Sequence, residues 1–508
     1  MNYPQPYWSA QAAISASIDN AAIPTIAVGS DESVYFAVST KSAAYPTNYN
    51  ITVGKLSPDG FVQWQQVFAQ LVTTTDGIQP SLVVGAGGEI FLAFVTSGST
   101  AGRLNMSAVP NFCLCPIQCG EYPITNKDIV LARIDQPTPT SASLTWYVQD
   151  ASINSYTDET VPRLAIDTAN SLLYMTWQSV QNIQCYPSTG SPNILLACFN
   201  YNGTQLWLEN MCNINGAGAN TNPVVTANAT GAVTVAWLTN ATVTGNQPVL
   251  GILPCGGQSG APITGGQRQV EAVSFQTDVG NPTNHIKLWI LSGMTNIFVQ
   301  GGNAYSPSIT SSSNGILYLA FLTDGVVQGG QRSPSLFDLV TVSIRRDGVL
   351  RWMNQGLLYN NGPTAYSSAA TPYITTDTWG NPYVSLVTNN SNIILFRLNY
   401  LNGENQWIYE KPTGPTYNAY GYALTGSQFG IFPTSVGAYS PSPIAVYDKS
   451  FYVATSVAPP LAVPGGVHQS AGNDLVITSL LQQLYAPSQT PFDYIKNNKI
   501  ICGCNCTC

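Results

Sequence analysis

Seven similar segments follow one another along this chain of 508 residues, and the repetition constrains the fold more than any other feature. In each segment a proline is followed, thirteen or fourteen positions later, by a small residue that ends an apolar run. The prolines are Pro24, Pro80, Pro162, Pro223, Pro307, Pro372 and Pro441, and the small residues are Ala37, Ala93, Thr176, Ala236, Ala320, Ser385 and Ala454. Repetition of this kind is typical of proteins in which each unit buries its faces against its neighbours.

The segment at 306–356 shows what one unit contains. Asn314-Gly315 precedes the alternating apolar run ILYLAFLTD, and Asp347-Gly348 separates the run FDLVTVSIRR from VLRW. These dipeptides favour tight hairpins, because a type I′ turn needs positive φ at both central positions. Each unit is therefore predicted to be a four-stranded antiparallel meander.

The tryptophans indicate how the units join. Six of the seven units carry one in the fourth strand, whereas the last unit has none and the N-terminal YPQPYWSAQA has a tryptophan strand but no unit. We predict that this strand completes the last unit, which would leave no unpaired edge between the first and last blades. The residues assigned to packing between blades are Trp8, Trp64, Trp146, Trp207, Trp289, Trp352 and Trp407.

The predicted fold class is all-β: a seven-bladed β-propeller of four-stranded antiparallel blades, with the ring closed by the N-terminal strand. Residues 1–484 form the propeller, and residues 485–508 form a Cys-rich C-terminal tail. The long insertions, at 97–127, 180–192, 241–270, 325–337, 408–440 and 458–473, all fall in connections that share one face of the disc. Because loops on a rigid scaffold usually carry binding, we expect this face to be the working surface.

Composition excludes several classes of partner. Charged residues make up 8% of the chain and hydrophobic residues 44%, and the net charge of −8 with 17 Lys+Arg provides no basic surface for nucleic acid. No apolar run is long enough to insert into a membrane. The N-terminal sequence lacks the basic start and apolar core of a secretory signal, so the chain is expected not to be exported by that route.

Catalytic side chains are scarce. There are two histidines, His285 and His468, both expected to be exposed polar residues, and most acidic residues fall in turns or at strand starts. We therefore expect no enzymatic activity, catalytic residue, cofactor or metal site. The alternative is a carbohydrate-binding or carbohydrate-active propeller, a lectin or glycoside hydrolase acting at the long-loop face, which three or more acidic or arginine side chains at the channel mouth would favour.

The third-strand, turn and tryptophan pattern (DIVLARI, NYNGTQLW, RRDGVLRW, LNGENQW) is similar to the SBBP-type β-propeller repeats of bacterial surface proteins and predicted giant DNA virus proteins. The pattern covers nearly the whole chain up to about residue 484. The charge-poor, Asn-, Thr- and Tyr-rich composition also resembles giant-virus particle proteins. The repeat resemblance implies the architecture rather than the function, because propellers host unrelated activities. We expect a non-enzymatic structural or interaction protein, a self-assembling particle, surface or fibre component of a virion or extracellular surface. Its expected partners are proteins, in a homo-oligomer or larger assembly, with a glycan as a further candidate partner.

Eleven cysteines add a crosslinking hypothesis. Those in the tail occupy alternate positions, which lack the CxxC spacing of zinc sites, so disulfides are favoured over soft-metal binding. The tail is expected to pair at least once with a cysteine outside it, in the 113–119 insertion or in another subunit. The disulfide candidates are Cys113, Cys115, Cys119, Cys185, Cys255, Cys502, Cys504, Cys506 and Cys508.

Overall fold

A computed structural model shows a protein built almost entirely of β-strands. The structure describes residues 5–10, 19–42, 45–73, 75–98, 100, 126–150, 152–155, 157–180, 192–209, 219–240, 267–291, 299–327, 337–355, 372–387, 393–410, 444–447, 450–457 and 474–481. Within these ranges the helical structure is one 3₁₀ turn, Ala69–Leu71. The strands form seven four-stranded sheets, here called blades, and one two-stranded ribbon.

The strands are numbered in chain order. Blade 1 contains β2 (Asp19–Val28), β3 (Val34–Ser42), β4 (Tyr45–Leu56) and β5 (Val62–Val67), and blade 2 contains β6 (Gly77–Val84), β7 (Ile90–Thr96), β8 (Asp128–Thr138) and β9 (Ser141–Val148). Blade 3 contains β10 (Glu159–Asp167), β11 (Leu172–Ser179), β12 (Asn193–Asn200) and β13 (Gln205–Glu209), and blade 4 contains β14 (Asn220–Ala227), β15 (Ala232–Thr239), β16 (Gln269–Thr277) and β17 (His285–Leu291).

Blade 5 contains β19 (Ala304–Ser311), β20 (Leu317–Thr323), β22 (Asp338–Ile344) and β23 (Leu350–Gln355), and the ribbon beside it pairs β18 (Val299–Gln300) with β21 (Val326–Val327). Blade 6 contains β24 (Tyr373–Thr376), β25 (Pro382–Val387), β26 (Ile393–Leu398) and β27 (Asn405–Glu410). Blade 7 contains β28 (Ile444–Tyr447), β29 (Ser450–Val457), β30 (Asp474–Leu481) and, as its outer strand, β1 (Gln5–Ala10).

The first and last parts of the chain meet in blade 7. Strand β1 pairs antiparallel with β30, from Gln5 opposite Leu481 to Ala10 opposite Ile477. The predicted set of seven four-stranded antiparallel sheets is thus confirmed. The architecture is an all-β, propeller-like fold.

Five of the repeated prolines lie inside the first strand of a blade: Pro24, Pro80, Pro162, Pro223 and Pro307. Pro372 directly precedes β24, and Pro441 lies outside the described residues. The residue before the proline has positive φ in four consecutive blades, at Gln79, Val161, Asn222 and Ser306, with values from 47° to 59°. The strand pairing shifts register at each of these positions, which defines a β-bulge. A β-branched residue is strained at positive φ, so Val161 is an outlier held by its surroundings.

Apolar side chains form the contacts between neighbouring blades. Blades 1 and 2, for example, share a cluster in which Ala37 and Trp64 meet Leu82 and Leu92. Blades 7 and 1 share another, containing Ile477 and Ile26. Because each sheet is apolar on both faces, the core is a series of layers between blades.

The two faces of the blades differ in their loops. The turns between first and second strands and between third and fourth strands are tight, as in the turn that begins with Ser57 and contains Gly60 at φ 85°. Most residues of the predicted insertions lie outside the described part of the chain. No helix in the described residues is long and apolar enough to cross a membrane.

Candidate functional site

A cavity of about 430 Å³ opens on the long-loop side of blades 2, 3 and 4. Its wall comes from the starts of first strands and from residues beside second and third strands. The lining residues are Ile78, Gln79, Lys127, Thr160, Val161, Gln178, Ala219, Thr221, Asn222, Asn240 and Arg268. We call this space the mouth cavity.

The β-bulges shape the wall of the mouth cavity. Three of the positive-φ residues, Gln79, Val161 and Asn222, line it. The Val161 backbone N–H donates to Gln79 Oε1 at 3.0 Å, and the Asn222 N–H donates to Gln178 Oε1 at 3.4 Å. A side-chain amide of one blade therefore holds the bulge of the next, and three of the six described non-glycine residues with positive φ line this cavity.

Lys127 and Arg268 occupy equivalent positions in blades 2 and 4, each one residue before a third strand. In both cases the backbone carbonyl accepts a 2.8 Å hydrogen bond from the start of the next blade's first strand: Glu159 N–H donates to Lys127, and Ala304 N–H donates to Arg268. In blade 3 the equivalent residue is Pro192. The two cations therefore flank the cavity from either side of an uncharged position.

Asn240 carries an acceptor that the described residues leave without a donor. Its Oδ1 is buried and accepts no hydrogen bond from any described residue, although Asn240 lines the mouth cavity. A buried acceptor without a donor costs about 1–3 kcal/mol, so such atoms need an explanation.

A second cavity, of about 380 Å³, lies among the first strands of the seven blades. It shares Val161 and Asn222 with the mouth cavity and is lined largely by apolar, serine and threonine residues. Arg163 is the one charged residue among the described residues that line it. Across both cavities the charged lining side chains in the described ranges are therefore Lys127, Arg163 and Arg268, all of them basic.

Glu159 lies directly beside the mouth cavity but is fully buried. Its Oε1 accepts hydrogen bonds from the hydroxyls of Ser155 and Ser179, the latter at 2.8 Å. Burial raises the pKa of this carboxyl to about 8, and the nearby Asp128 carboxylate also raises the pKa. Glu159 is thus largely protonated at neutral pH and acts as a neutral hydrogen-bonding group.

The predicted packing tryptophans reach toward the next blade along the chain. Trp146 Nε1 donates to the Tyr201 carbonyl at 3.0 Å, and Trp352 Nε1 donates to the Tyr400 carbonyl at 3.2 Å. Trp64 and Trp289 make corresponding bonds to Gln136 Oε1 at 3.4 Å and to the Arg346 carbonyl at 2.8 Å. The side chains of Trp8 and Trp407 lie outside the described part of the structure.

Trp207 makes a different contact, which involves a histidine expected to be exposed. Its ring stacks on His285 of blade 4, with centroids 4.2 Å apart. His285 Nε2 lies 2.7 Å from Glu209 Oε1, and 17% of the histidine side chain is exposed. His285 is therefore a packing residue between blades 3 and 4, whereas His468 lies outside the described residues.

The crosslinking hypothesis stays a prediction. All nine disulfide candidates and Cys212 lie outside the described residues, and Cys198, which the structure does describe, is a buried free thiol. The predicted tail at 485–508 also lies outside them. In the described ranges, histidine, cysteine and carboxylate side chains form no group of three that could hold a metal ion.

Comparisons with known proteins extend no further than the fold. No protein-family model matches the sequence, and no curated protein matches it. Three similar solved structures are an ulvan lyase of polysaccharide lyase family PL25 (10% identity, TM-score 0.44, covering 93% of this chain and 96% of that one), the Hadza microbial sialidase Hz136 (11%, 0.39, 77% and 66%) and the α-L-arabinofuranosidase Arb93A from Fusarium graminearum (10%, 0.37, 77% and 92%).

These findings correct one expectation and leave others as predictions. The expectation of no enzymatic activity is wrong as an exclusion, because the propeller-like solved structures similar to this chain are glycoside hydrolases and polysaccharide lyases. The scarcity of histidine was too narrow a criterion for excluding enzymatic activity. The SBBP-type relationship, the giant-virus origin, the virion or surface location, the single propeller domain and the protein partners stay predictions.

Sequence reasoning singled out no individual residue of the mouth cavity, although the insertions at 97–127 and 241–270 contain Lys127 and Arg268. Lys127 and Arg268 are 141 positions apart, and their shared place before a third strand becomes visible only when DIVLARI and QVEAVSF are aligned as equivalent strands. Aligning these two strands was the signal in the sequence that could have identified Lys127 and Arg268 as equivalent residues. No comparable signal marks Asn240 or Gln79, because bulges and loop ends bring those residues together.

Proposed function

We propose that this protein binds carbohydrate in the mouth cavity, as a lectin-like or carbohydrate-active propeller that uses its long-loop face. The observation that carries the proposal is the chemistry of the wall, where the amides of Gln79, Gln178, Asn222 and Asn240 lie with threonine hydroxyls. Each amide both donates and accepts, and so matches a ligand covered in hydroxyl groups. Drug-like pockets, by contrast, are lined mostly by apolar side chains.

The size and position of the cavity support the same function. Ligand pockets commonly enclose about 300–1,000 Å³, and the mouth cavity is about 430 Å³. It opens on the side of the blades from which the long insertions leave. The backbone there is fixed by bonds between blades, so the amides are held in place before a ligand arrives, which lowers the entropic cost of binding.

The test uses the full chain and a panel of neutral and acidic polysaccharides, with binding measured by affinity electrophoresis and calorimetry. Asn240→Ala removes one of the side-chain amides that line the cavity, so we expect about a tenfold loss of affinity with no loss of thermal stability. Asn281→Ala, which changes an exposed amide on the tight-turn side, is the matched control and should bind normally. Binding to no polysaccharide, or equal binding by both variants, would contradict the proposal.

Bond cleavage is measured in the same experiment. Any polysaccharide that binds is incubated with the protein and assayed for new reducing ends, which both hydrolysis and elimination produce, and for the ultraviolet absorbance of unsaturated sugars, which only elimination produces. Loss of product in the Asn240→Ala variant would place cleavage at the mouth cavity. Product made equally by the variant would place it elsewhere.

We also propose that the blades close into a ring fastened by β1. The pairing of β1 with β30 and the apolar cluster that joins Ile477 to Ile26 support closure. A closed ring leaves no exposed sheet edge between the first and last blades. It would also hold blades 2, 3 and 4 in a fixed arrangement around the mouth cavity.

A further inference from the structure

We propose that the mouth cavity recognises acidic saccharides, and that Lys127 and Arg268 together bind a uronate carboxylate or a sulfate ester on the sugar. This inference rests on the proposed carbohydrate-binding function and adds the chemical class of the ligand. The amides of the wall are assigned to the sugar hydroxyls. The two cations are assigned to the anionic substituent, whose oxygens accept strong charge-assisted hydrogen bonds.

The charged residues of the mouth cavity wall are opposite in sign to the net charge of the chain. The protein has 25 Asp+Glu and 17 Lys+Arg, so a randomly chosen surface would carry more negative than positive side chains. The mouth cavity instead has two basic lining residues and, among the described residues, no acidic one. Arg163 adds a third basic group in the adjoining cavity. A local positive potential in an acidic protein attracts an anionic ligand and raises its rate of association.

The placement of the two cations suits a ligand held between them. Each backbone is fixed by its 2.8 Å bond to the following blade, so the side chains project from anchored positions in blades 2 and 4. Arg268 forms no ion pair with any described carboxylate. Its guanidinium is therefore available to bind an oxyanion with two parallel hydrogen bonds.

Asp158 partly competes for Lys127. The Lys127 Nζ lies 3.7 Å from Asp158 Oδ2, and both side chains are about half exposed. An exposed pair at this distance contributes roughly 0–1 kcal/mol, so the ammonium group stays available to a ligand. Asp158 also accepts the Lys127 backbone N–H at 3.1 Å, which positions the residue.

The experiment compares one acidic polysaccharide with its own neutral form. The full chain is titrated with alginate and carboxyl-reduced alginate, and with a sulfated polysaccharide and its desulfated form, at low and high salt. We expect the acidic forms to bind more tightly, and Lys127→Gln and Arg268→Gln each to lower that affinity by about tenfold to a hundredfold. Neutral forms should bind the variants as they bind the wild type.

Two further variants separate the site from general charge effects. Arg345→Gln removes an exposed arginine on the tight-turn side that pairs with Asp347, and it should leave binding unchanged. Asp158→Asn keeps an acceptor for the Lys127 N–H but removes the competing charge, so acidic saccharides should bind as tightly or more tightly.

The outcomes distinguish this inference from the function beneath it. Equal affinity for acidic and neutral forms would overturn the inference and leave carbohydrate binding intact, whereas binding of neither form would contradict both. A loss in Arg345→Gln as large as in Arg268→Gln would mean diffuse attraction of polyanions and would also overturn it. Preference for the carboxylated or the sulfated member identifies which anion is recognised.

Discussion

Glycines in the tight turns pack against the tryptophan side chains of the preceding blade. A Cβ at Gly203 would lie 3.0 Å from Cδ2 of Trp146, and one at Gly348 would lie 2.7 Å from Cγ of Trp289. Both glycines have φ above 80°. The Asn-Gly and Asp-Gly signals therefore have two physical causes, the turn itself and an indole packed against it. Only the first was visible in the sequence.

We expect Gly203→Ala to lower the free energy of unfolding more than Gly301→Ala. Both glycines have positive φ, 84° and 70°, but a Cβ at Gly301 would meet nothing within 4 Å. The left-handed backbone alone costs about 1–2 kcal/mol, and the clash with Trp146 should add about 1–3 kcal/mol. Urea denaturation of the two variants measures the difference. Equal destabilisation would show that the indole contact does not matter.

Buried Glu159 makes stability depend on pH. Its pKa in the folded protein is about 8, against an ordinary value of 4.5, because burial disfavours the charged form. Between these values the folded chain holds a proton that the unfolded chain has lost. The contribution of Glu159 to the free energy of unfolding is therefore fully present below about pH 4.5. It is lost as the pH rises toward 8, by up to about 1.4 kcal/mol per pH unit.

Glu159→Gln should flatten this pH dependence between pH 5 and 8. Glutamine keeps the size of the side chain and an oxygen that accepts from Ser155 and Ser179, but it has no proton to lose. Denaturation midpoints measured at each pH give the slope. Glu404→Gln, at an exposed carboxylate in a blade 6 turn, should keep the wild-type slope. A wild-type protein equally stable at pH 5 and 8 would contradict the assignment.

At the scale of elements, β1 pairs with a strand about 470 residues away in sequence. Removing residues 1–12 would leave β30 with one unpaired edge, because its partners are β29 and β1. We expect the truncated chain to lose several kcal/mol and to aggregate. Thermal denaturation and light scattering measure both effects. A chain that lacks only residues 1–3, which precede β1, serves as the comparison and should behave as the full protein does.

An unchanged truncated protein would contradict the role assigned to β1. If removal of residues 1–12 leaves solubility and melting temperature unchanged, β1 contributes nothing to blade 7. Restoring the strand as a separate peptide should recover stability in proportion to its concentration, since binding to the folded state alone stabilises it.

The strands were largely predictable because alternation, turn dipeptides and the proline spacing all indicated the same meander. The bulges were not predictable, since nothing in the sequence around Gln79 and Val161 indicates a positive φ. The tyrosine contacts were missed for a similar reason. Tyr174 and Tyr318 lie in second strands, and their hydroxyls bond to the carbonyls of Gly231 and Gly380 in the next blade, a partner that only the packed structure reveals.

At the scale of the whole molecule, the sequence could indicate which side of the blades is the expected binding surface, but not which ligand that surface would bind. Loop lengths separate the two sides because four-stranded meanders alternate their connections. The site itself combines Gln79 from blade 2, Gln178 from blade 3 and Arg268 from blade 4. Side chains that converge from separate repeats leave no local motif, so their chemistry is read from the assembled fold.

The pairing of β1 with β30 also sets an order of events during synthesis. The ribosome makes β1 before β30, and about 470 residues separate the two strands. At roughly 5–20 residues per second, the strand waits on the order of half a minute to a minute and a half. Until then its backbone can pair with water, a chaperone or another nascent chain. Blade 7 therefore gains its outer contact only after the intervening residues have been made.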